Sequence, residues 1–328
     1  ITSMVLHTLQ YHHFDTDFMV GAPLEGFDCM VKLSSENDFI ILEGDEYLSS
    51  PIDSRPKFLH YHPNIALISG ISWDHINVFK TEEEYVDAFR NFIQNITSGG
   101  ILVYNEEDEN LVKLVDEAEN YFRKMPYKTP NYETKNGKTS VETEMGQIPL
   151  KIFGKHNLLN LEGARLICNQ LGILDEDFYE AMMSFSGASK RLEKVKRNDD
   201  VILYRDFAHA PSKVKASVDA FAEQFPAMKK IGVLELHTYS SLNPAFLPQY
   251  KNTLAQLDEA VVFYDLEALK IKNMTPISPE LIKESFGKEN LQVFTNADDL
   301  KNFWQNLEKS NAAFLMMSSG NLGGISLT

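Results

Sequence analysis

Phe39-Ile40-Ile41-Leu42-Glu43-Gly44-Asp45-Glu46 and Ile65-Ala66-Leu67-Ile68-Ser69-Gly70-Ile71-Ser72-Trp73-Asp74-His75 share one pattern. In each, four apolar residues run into a polar segment that carries Gly and acidic or imidazole side chains. Short apolar runs bounded by turn residues read as buried strands. Parallel α/β sheets bind ligands at the carboxyl ends of their strands. Two neighbouring strands that deliver Glu43 and His75 at that end could hold a divalent cation beside a phosphate. Mg2+ needs only a carboxylate or two from the protein, because it keeps waters and phosphate oxygens. Glu43 could equally cap the next element, and His75 could be a loop histidine satisfied locally.

The alternation continues on either side. Ile1-Thr2-Ser3-Met4-Val5-Leu6-His7-Thr8-Leu9 has helical spacing of its apolar residues with no N-cap before it. The spacing predicts a helix entered after its first turn, and a phosphate-binding loop stands immediately before such a helix. Thr81 followed by Glu82, Glu83 and Glu84 predicts a capped helix start. Tyr85, Phe89, Phe92 and Ile93 supply its apolar stripe. A strand is expected at 101–104, entered through Gly99-Gly100. Strands joined by polar turns are expected over 126–150, with Asn136-Gly137 as a hairpin dipeptide. A helix over 157–171 ends at Gly172.

From Phe185-Ser186-Gly187 onward the pattern resumes, with strands at 201–204, 231–234, 260–264 and 312–317. Helices are expected at 211–225, 248–257, 279–286 and 297–308. Strands separated by helices of this length imply βαβ units and a mostly parallel sheet. The expectation is an α/β protein of two domains, residues 1–185 and 186–328, with a cleft between them.

Composition narrows the function classes. The 328 residues carry a net charge of −16, which argues against a nucleic-acid binder that works by neutralising phosphates. A phosphorylated small molecule remains compatible, since a few local cations and a metal suffice. Cys29 and Cys168 are the only cysteines, so no disulfide framework or zinc motif is expected and a reducing cytoplasm fits. No apolar run approaches the roughly 18 residues of a membrane span, and no signal peptide is visible. Oligomeric state is left open.

Five further segments carry chemistry. Gly154-Lys155-His156-Asn157-Leu158-Leu159-Asn160 opens a helix, and Asn157 and Asn160 share a face. Their amides suit an adenine edge, although Asn157 could simply cap the helix. Lys190-Arg191 opens the second half, where Arg suits phosphate or carboxylate. The run Lys190 to Arg197 also reads as a solvated charged face. Asp206-Phe207-Ala208-His209-Ala210-Pro211 follows one strand, and Glu235-Leu236-His237-Thr238-Tyr239-Ser240 follows another. Asp206, His209 and His237 would then line one sheet edge. Ser318-Ser319-Gly320-Asn321-Leu322-Gly323-Gly324 follows the last strand and lets backbone approach a ligand.

Taken in order, these residues resemble the Mur ligase family, the ATP-dependent amide ligases of peptidoglycan assembly. The resemblance runs from the first helix to Gly324 through His156-Asn157-x-x-Asn160, Lys190-Arg191, Asp206-x-Ala208-His209-x-Pro211 and His237-Thr238-Tyr239-Ser240. It implies a P-loop-type central ATPase domain, N-terminally incomplete here, followed by a Rossmann-like C-terminal domain. In the family a Gly-x-x-Gly-Lys-Thr/Ser loop precedes the first helix, and an N-terminal uridine-nucleotide domain precedes that. Both are expected upstream of Ile1. Arg205, Ala210 and Ser72 depart from the family's usual Asp, His and acidic residue.

The resemblance implies ATP and Mg2+ as cofactors and UDP-N-acetylmuramate as one substrate. Glu43 and His75 would hold the metal, and His156, Asn157 and Asn160 the adenine. Lys190 and Arg191 would meet phosphate, with Arg191 also facing developing charge, and Asp206 would meet the ribose. His209, His237 and Tyr239 would face the incoming amine. Glu43-Gly-Asp-Glu-Tyr47 with Asp53-x-Arg55-x-Lys57-Phe58-x-His60-Tyr61 most resembles the branch that ligates the recycled murein peptide L-alanyl-γ-D-glutamyl-meso-diaminopimelate, which is the expected activity, with L-alanine ligation as the alternative. His237-Thr238-Tyr239-Ser240 looks more like the L-alanine branch. A reading of another class is a non-catalytic fragment or binding module, since ATP chemistry needs the phosphate loop.

Overall fold

The computed structural model describes residues 1–24, 26–73, 78–197 and 200–327. The chain divides into two compact units. Unit 1 is Ile1–Glu133 with Lys138–Ser189, and unit 2 is Thr134–Gly137 with Lys190–Thr328. Each is described by itself.

Unit 1 starts with α1 (Thr2–Tyr11), β1 (Asp17–Met19), β2 (Val31–Lys32) and β3 (Ile40–Leu42). The hairpin β4 (Leu48–Ser50) and β5 (Asp53–Pro56) follows. Next come β6 (Ile65–Ile68), α2 (Glu82–Gln94), β7 (Gly100–Asn105), α3 (Glu109–Asp116) and β8 (Phe122–Tyr127). A meander of β9 (Tyr132–Lys135), β10 (Lys138–Thr143) and β11 (Gly146–Leu150) leads to α4 (Lys155–Gln170) and α5 (Asp175–Ser184).

Two predicted strands, β3 and β6, are present but do not pair with each other. β3 joins β1 in parallel, Asp17 opposite Ile40, in the sheet β2-β1-β3. β6 joins β7 in parallel, Ile65 opposite Ile101, in the sheet β6-β7-β8. The expectation that Glu43 and His75 leave adjacent strands is therefore corrected: among the described residues β3 pairs only with β1 and β6 only with β7, each as the edge strand of a different sheet.

Alternation along β6 explains how its sheet is covered. Ala66 and Ile68 face a core closed by Phe89 and Ile93 of α2 and Leu111 and Val115 of α3. Leu67 faces the other way, against α4. There Gly163 comes so close that an added Cβ would lie 3.0 Å from Leu67 Cδ1. Thr81 caps α2 by accepting from the Glu84 amide, as its sequence predicts. Met4, Val5 and Leu9 of α1 join Leu158 and Leu161 of α4 and Phe178 and Met182 of α5 in a second core. Asn136 and Gly137 both have left-handed φ, 52° and 69°, which a two-residue type I′ hairpin requires.

Unit 2 holds β12 (Glu193–Arg197), β13 (Val201–Asp206), α6 (Pro211–Gln224), β14 (Lys229–Glu235), β15 (Glu259–Phe263), α7 (Leu266–Ile271) and α8 (Pro279–Phe286). β16 (Gln292–Phe294), α9 (Ala297–Asn306) and β17 (Ala312–Met317) complete it. The strands form one sheet in the order β12-β13-β17-β14-β15-β16. All neighbours are parallel except the antiparallel edge pair β12–β13. Every residue of β17 is buried, as a strand covered on both faces and both edges should be.

One expectation is given its structural form here, and one is revised. The charged run after Arg191 is the edge strand β12, where lysines protect an exposed edge from further pairing. Its Glu193 forms an ion pair with Arg205 of β13 at 2.9 Å. The predicted helix at 248–257 is only a 3-10 turn, Leu247–Tyr250, followed by turns. Asn252 takes a left-handed φ of 62°, which stops helix propagation. Its amide bonds the Phe286 carbonyl instead.

Candidate functional site

In unit 1, parallel pairing puts the carboxyl ends of β1 and β3 side by side. Glu43 leaves β3 there, and its Oε2 accepts from the Gly21 amide at 2.6 Å. Its acidic neighbours are committed elsewhere. Asp45 pairs with Lys57 at 2.5 Å, and Glu46 accepts from the Tyr85 hydroxyl at 3.2 Å. Glu43 is exposed, and its Oε1 has no partner among the described residues. It does not cap a following element. One exposed carboxylate oxygen fits a hard cation that keeps waters and phosphate oxygens. No cluster of three or more His, Cys, Asp or Glu able to hold a metal occurs among the described residues. His75, the second expected ligand, lies outside the described residues.

A second group gathers at the carboxyl ends of β6, β7 and β8. Asn105 donates to the Ser69 carbonyl at 3.1 Å, and Asp108 accepts from the Ile71 amide at 2.8 Å while capping α3. These bonds fix the loop that leaves β6. Lys155, at the first turn of α4, pairs with Glu107 at 2.7 Å, just past the end of β7. Burial opposes ionisation of Glu107, but Lys155 and the Thr129 amide outweigh it and hold its carboxyl below the usual range.

The start of α4 is thereby tied to the same strand ends, and it carries His156, Asn157 and Asn160. Gly154, with φ 89°, is the N-cap, not Asn157. The Asn157 amide nitrogen donates back to the Phe153 carbonyl at 2.9 Å. That bond leaves its Oδ1 as acceptor. The Asn160 side chain finds no partner among the described residues. Both are half-buried on one face, while Leu158, Leu161 and Ala164 fill the core behind them. This face can read a flat group bearing donors and acceptors.

In unit 2 the strand order brings the ends of β13, β17 and β14 together, and Lys190, Arg191, Asp206, His209, His237 and Tyr239 all belong to this edge. The Lys190 carbonyl accepts from the Phe207 amide at 2.7 Å. The Arg191 guanidinium lies 5.2 Å above the Phe207 ring. Lys190 and Leu192, on either side, have left-handed φ of 56° and 42°, so this turn is held by its tertiary bonds. Asp206 is 6% exposed, and Ser217 of α6 donates to its Oδ2. Oδ1 is the oxygen left for a ligand.

His209 is equally buried. Its Nδ1 lies 2.8 Å from the Phe207 carbonyl, which can only accept, so Nδ1 carries the proton. The buried Tyr250 hydroxyl donates to the His209 carbonyl and anchors the loop.

At the end of β14, Glu235 is 4% exposed and organises the glycine-rich turn after β17. Its Oε2 accepts from the Ser318 hydroxyl and from the Leu322 amide, the latter at 2.8 Å. The Gly320 amide donates to Ser318 Oγ at 2.7 Å. A Cβ on Gly320 would lie 2.8 Å from Glu235 Oε2 and 3.1 Å from His237 Cγ. The turn at Gly320 thus packs closely against both Glu235 and His237. Tyr239 is half-exposed beside it, and Thr238 and Ser241 exchange reciprocal side-chain-to-amide bonds at 3.1 and 2.9 Å that fix this loop. Among the described residues no helix is long and apolar enough to cross a membrane.

Comparison with known proteins places this architecture. The Mur ligase middle domain family matches residues 4–168, half of the chain. A UDP-N-acetylmuramate–L-alanine ligase of Caldicellulosiruptor bescii is 28% identical over 291 residues, which is 85% of this chain and 62% of that protein. The corresponding ligase of Clostridium botulinum is 27% identical over 334 residues, 98% of this chain and 70% of its own length. Among solved structures, the UDP-N-acetylmuramate-alanine ligase of Thermotoga maritima superposes with a TM-score of 0.71 at 19% identity, covering 98% of this chain and 69% of that one. A murein peptide ligase of Psychrobacter arcticus gives 0.65 at 18% identity, covering 98% and 72%. The chain thus spans roughly two thirds of the length of these proteins and shares their α/β fold. It belongs to the Mur ligase family.

Proposed function

We propose that the protein is an ATP-dependent, ADP-forming amide ligase that joins the carboxylate of UDP-N-acetylmuramate to the amine of L-alanine. The observation that carries this reading is the set of UDP-N-acetylmuramate–L-alanine ligases matched over 85% and 98% of the chain. A second reading, ligation to L-alanyl-γ-D-glutamyl-meso-diaminopimelate, is favoured by the sequence pattern at 43–47 and 53–61. In either case unit 1 is the central ATP-binding domain and unit 2 the C-terminal domain that receives the amine.

The chemistry has two steps. A carboxylate oxygen of UDP-N-acetylmuramate takes the terminal phosphoryl group of ATP; the bond to the bridging oxygen breaks and ADP leaves with its electron pair. The amine lone pair then attacks the acyl carbon, its proton passes to a base, and phosphate leaves from the tetrahedral intermediate. Activation is required because a carboxylate is a poor electrophile, and most of the acceleration is positioning and charge stabilisation. The paired amides of Asn157 and Asn160, with His156, bind adenine. Arg191 and Lys190 meet phosphate and developing charge, and Asp206 meets the ribose through Oδ1. His209, His237 and Tyr239 face the incoming amine. Glu43 is the residue that would hold Mg2+, with His75 as its expected partner, and the ion would offset charge on the phosphoryl group.

The test is ADP release by the full-length natural protein with ATP, Mg2+ and UDP-N-acetylmuramate. L-Alanine should stimulate release. Stimulation by the tripeptide but not by L-alanine would replace the first reading with the second. Release indifferent to any amine would refute both.

A further inference from the structure

Lys272 follows α7, the helix that leaves β15, and β15 lies beside β14 in the sheet. This brings Lys272 back to the loop at the end of β14. Its Nζ donates to the His237 carbonyl at 2.6 Å and stands 4.7 Å from the centroid of the Tyr239 ring. The side chain is half-buried, and burial pulls its pKa below the ordinary lysine value.

No carboxylate pairs with Lys272 among the described residues. The nearby Lys270 is paired with Glu267 at 2.6 Å. Glu235 Oε2 accepts from the Ser318 hydroxyl and the Leu322 amide, and no ion pair joins this carboxylate to Lys272 among the described residues. An ammonium has three donors, and the His237 carbonyl uses one. A partly desolvated cation without a counter-ion is costly, and the cost falls when an anion arrives. The chain's overall charge of −16 repels an anionic substrate, so a fixed local cation is needed where one must bind.

We propose that Lys272 reads a carboxylate of the amine substrate. Its ammonium, held between the His237 carbonyl and the Tyr239 ring, pairs with that carboxylate and so orients the amine. This rests on the ligase reading, in which the acceptor lies against His209, His237 and Tyr239. Both candidate acceptors carry the required group: L-alanine has its α-carboxylate, and the tripeptide has those of its glutamyl and diaminopimelyl residues. A carboxylate and the released inorganic phosphate are both anions, and the amide derivative of the acceptor separates them.

The experiment compares full-length wild-type protein with Lys272→Met, which keeps the apolar stem, and Lys272→Arg, which keeps the charge. Amine-dependent ADP release is measured with L-alanine and L-alaninamide, and with the tripeptide and its amidated form. In the wild type the carboxylate acceptor should have a KM at least about tenfold below that of its amide, the range of a charged hydrogen bond. Lys272→Met should raise KM for the carboxylate acceptor by about tenfold or more. It should leave KM for the amide, for ATP and for UDP-N-acetylmuramate unchanged. Lys272→Arg should recover part of the loss. Unchanged acceptor KM in Lys272→Met, or equal loss for acid and amide, overturns the assignment while the ligase reading stands. Absence of amine-dependent release in the wild type overturns both.

Discussion

Gly320→Ala tests whether His237 is positioned through the turn after β17. The new Cβ would sit 2.8 Å from Glu235 Oε2 and 3.1–3.2 Å from His237 Cγ and Nδ1. An ordinary contact needs about 3.4 Å or more, so the carboxylate must retreat by about half an ångström. It cannot do so freely, because Ser318 and the Leu322 amide hold the same oxygen. Overpacking of this kind costs about 1–3 kcal/mol, and loosening one buried charged hydrogen bond costs about 1–2 kcal/mol more. A total near 3 kcal/mol corresponds to a fall in Tm of about 6–12 °C for a domain of this size. Urea unfolding followed by near-ultraviolet circular dichroism reads the cost directly. The decisive control is Glu235→Ala, which removes the nearest atoms. In that background Gly320→Ala should cost at least about 1 kcal/mol less, a coupling expected of residues in contact. Equal cost in both backgrounds would refute the close approach as the cause. The amine KM of Gly320→Ala should also rise while the ATP KM holds.

Glu43→Gln keeps an oxygen for the Gly21 amide but removes the charge. Stability should change by no more than about 0.5 kcal/mol, while Mg2+-dependent ADP release falls by about 100-fold or more; full activity would remove Glu43 from the metal site. Burial pushes the Cys168 thiol up to about 12, whereas Cys29 is exposed. A thiol reagent at pH 8 should therefore modify Cys29 alone in the folded protein and both after unfolding, as a mass spectrum will show. Burial raises the Asp175 pKa, but Asn169 and Arg165 together lower it below its ordinary 3.8. A depressed carboxylate stabilises above its unfolded pKa and loses that contribution as pH falls through the folded one. Asp175→Asn should then cost under about 1 kcal/mol near pH 7, and urea midpoints of the two proteins should converge as the pH falls below the ordinary 3.8 and through the folded value.

What could be read from the sequence was local. Apolar runs at 201–204, 231–234, 260–264 and 312–317 mark four strands of the unit 2 sheet because burial on both faces leaves no other composition open. Thr81 marks α2 because a cap bonds three residues away. The rest depends on residues distant in sequence. Glu235 and Ser318 meet only because β17 lies beside β14, and no spacing encodes that adjacency. Lys272 gives no sequence signal at all; it meets the His237 carbonyl because β15, which precedes α7, lies beside β14. The error over β3 and β6 has the same origin, since runs of similar composition do not announce which neighbour they choose.

The place of β17 has a consequence for synthesis. It comes after the other strands of this sheet in the described sequence, yet it lies between β13 and β14. A nascent chain that has emerged only as far as α9 holds β13 and β14 with their facing edges unpaired. Those edges are apolar strands open to any partner during the seconds of translation that remain. The sheet cannot close from its N-terminal side outward. It must admit Ala312–Met317 into a gap, so closure of this sheet waits for that segment and depends on contacts of long sequence separation.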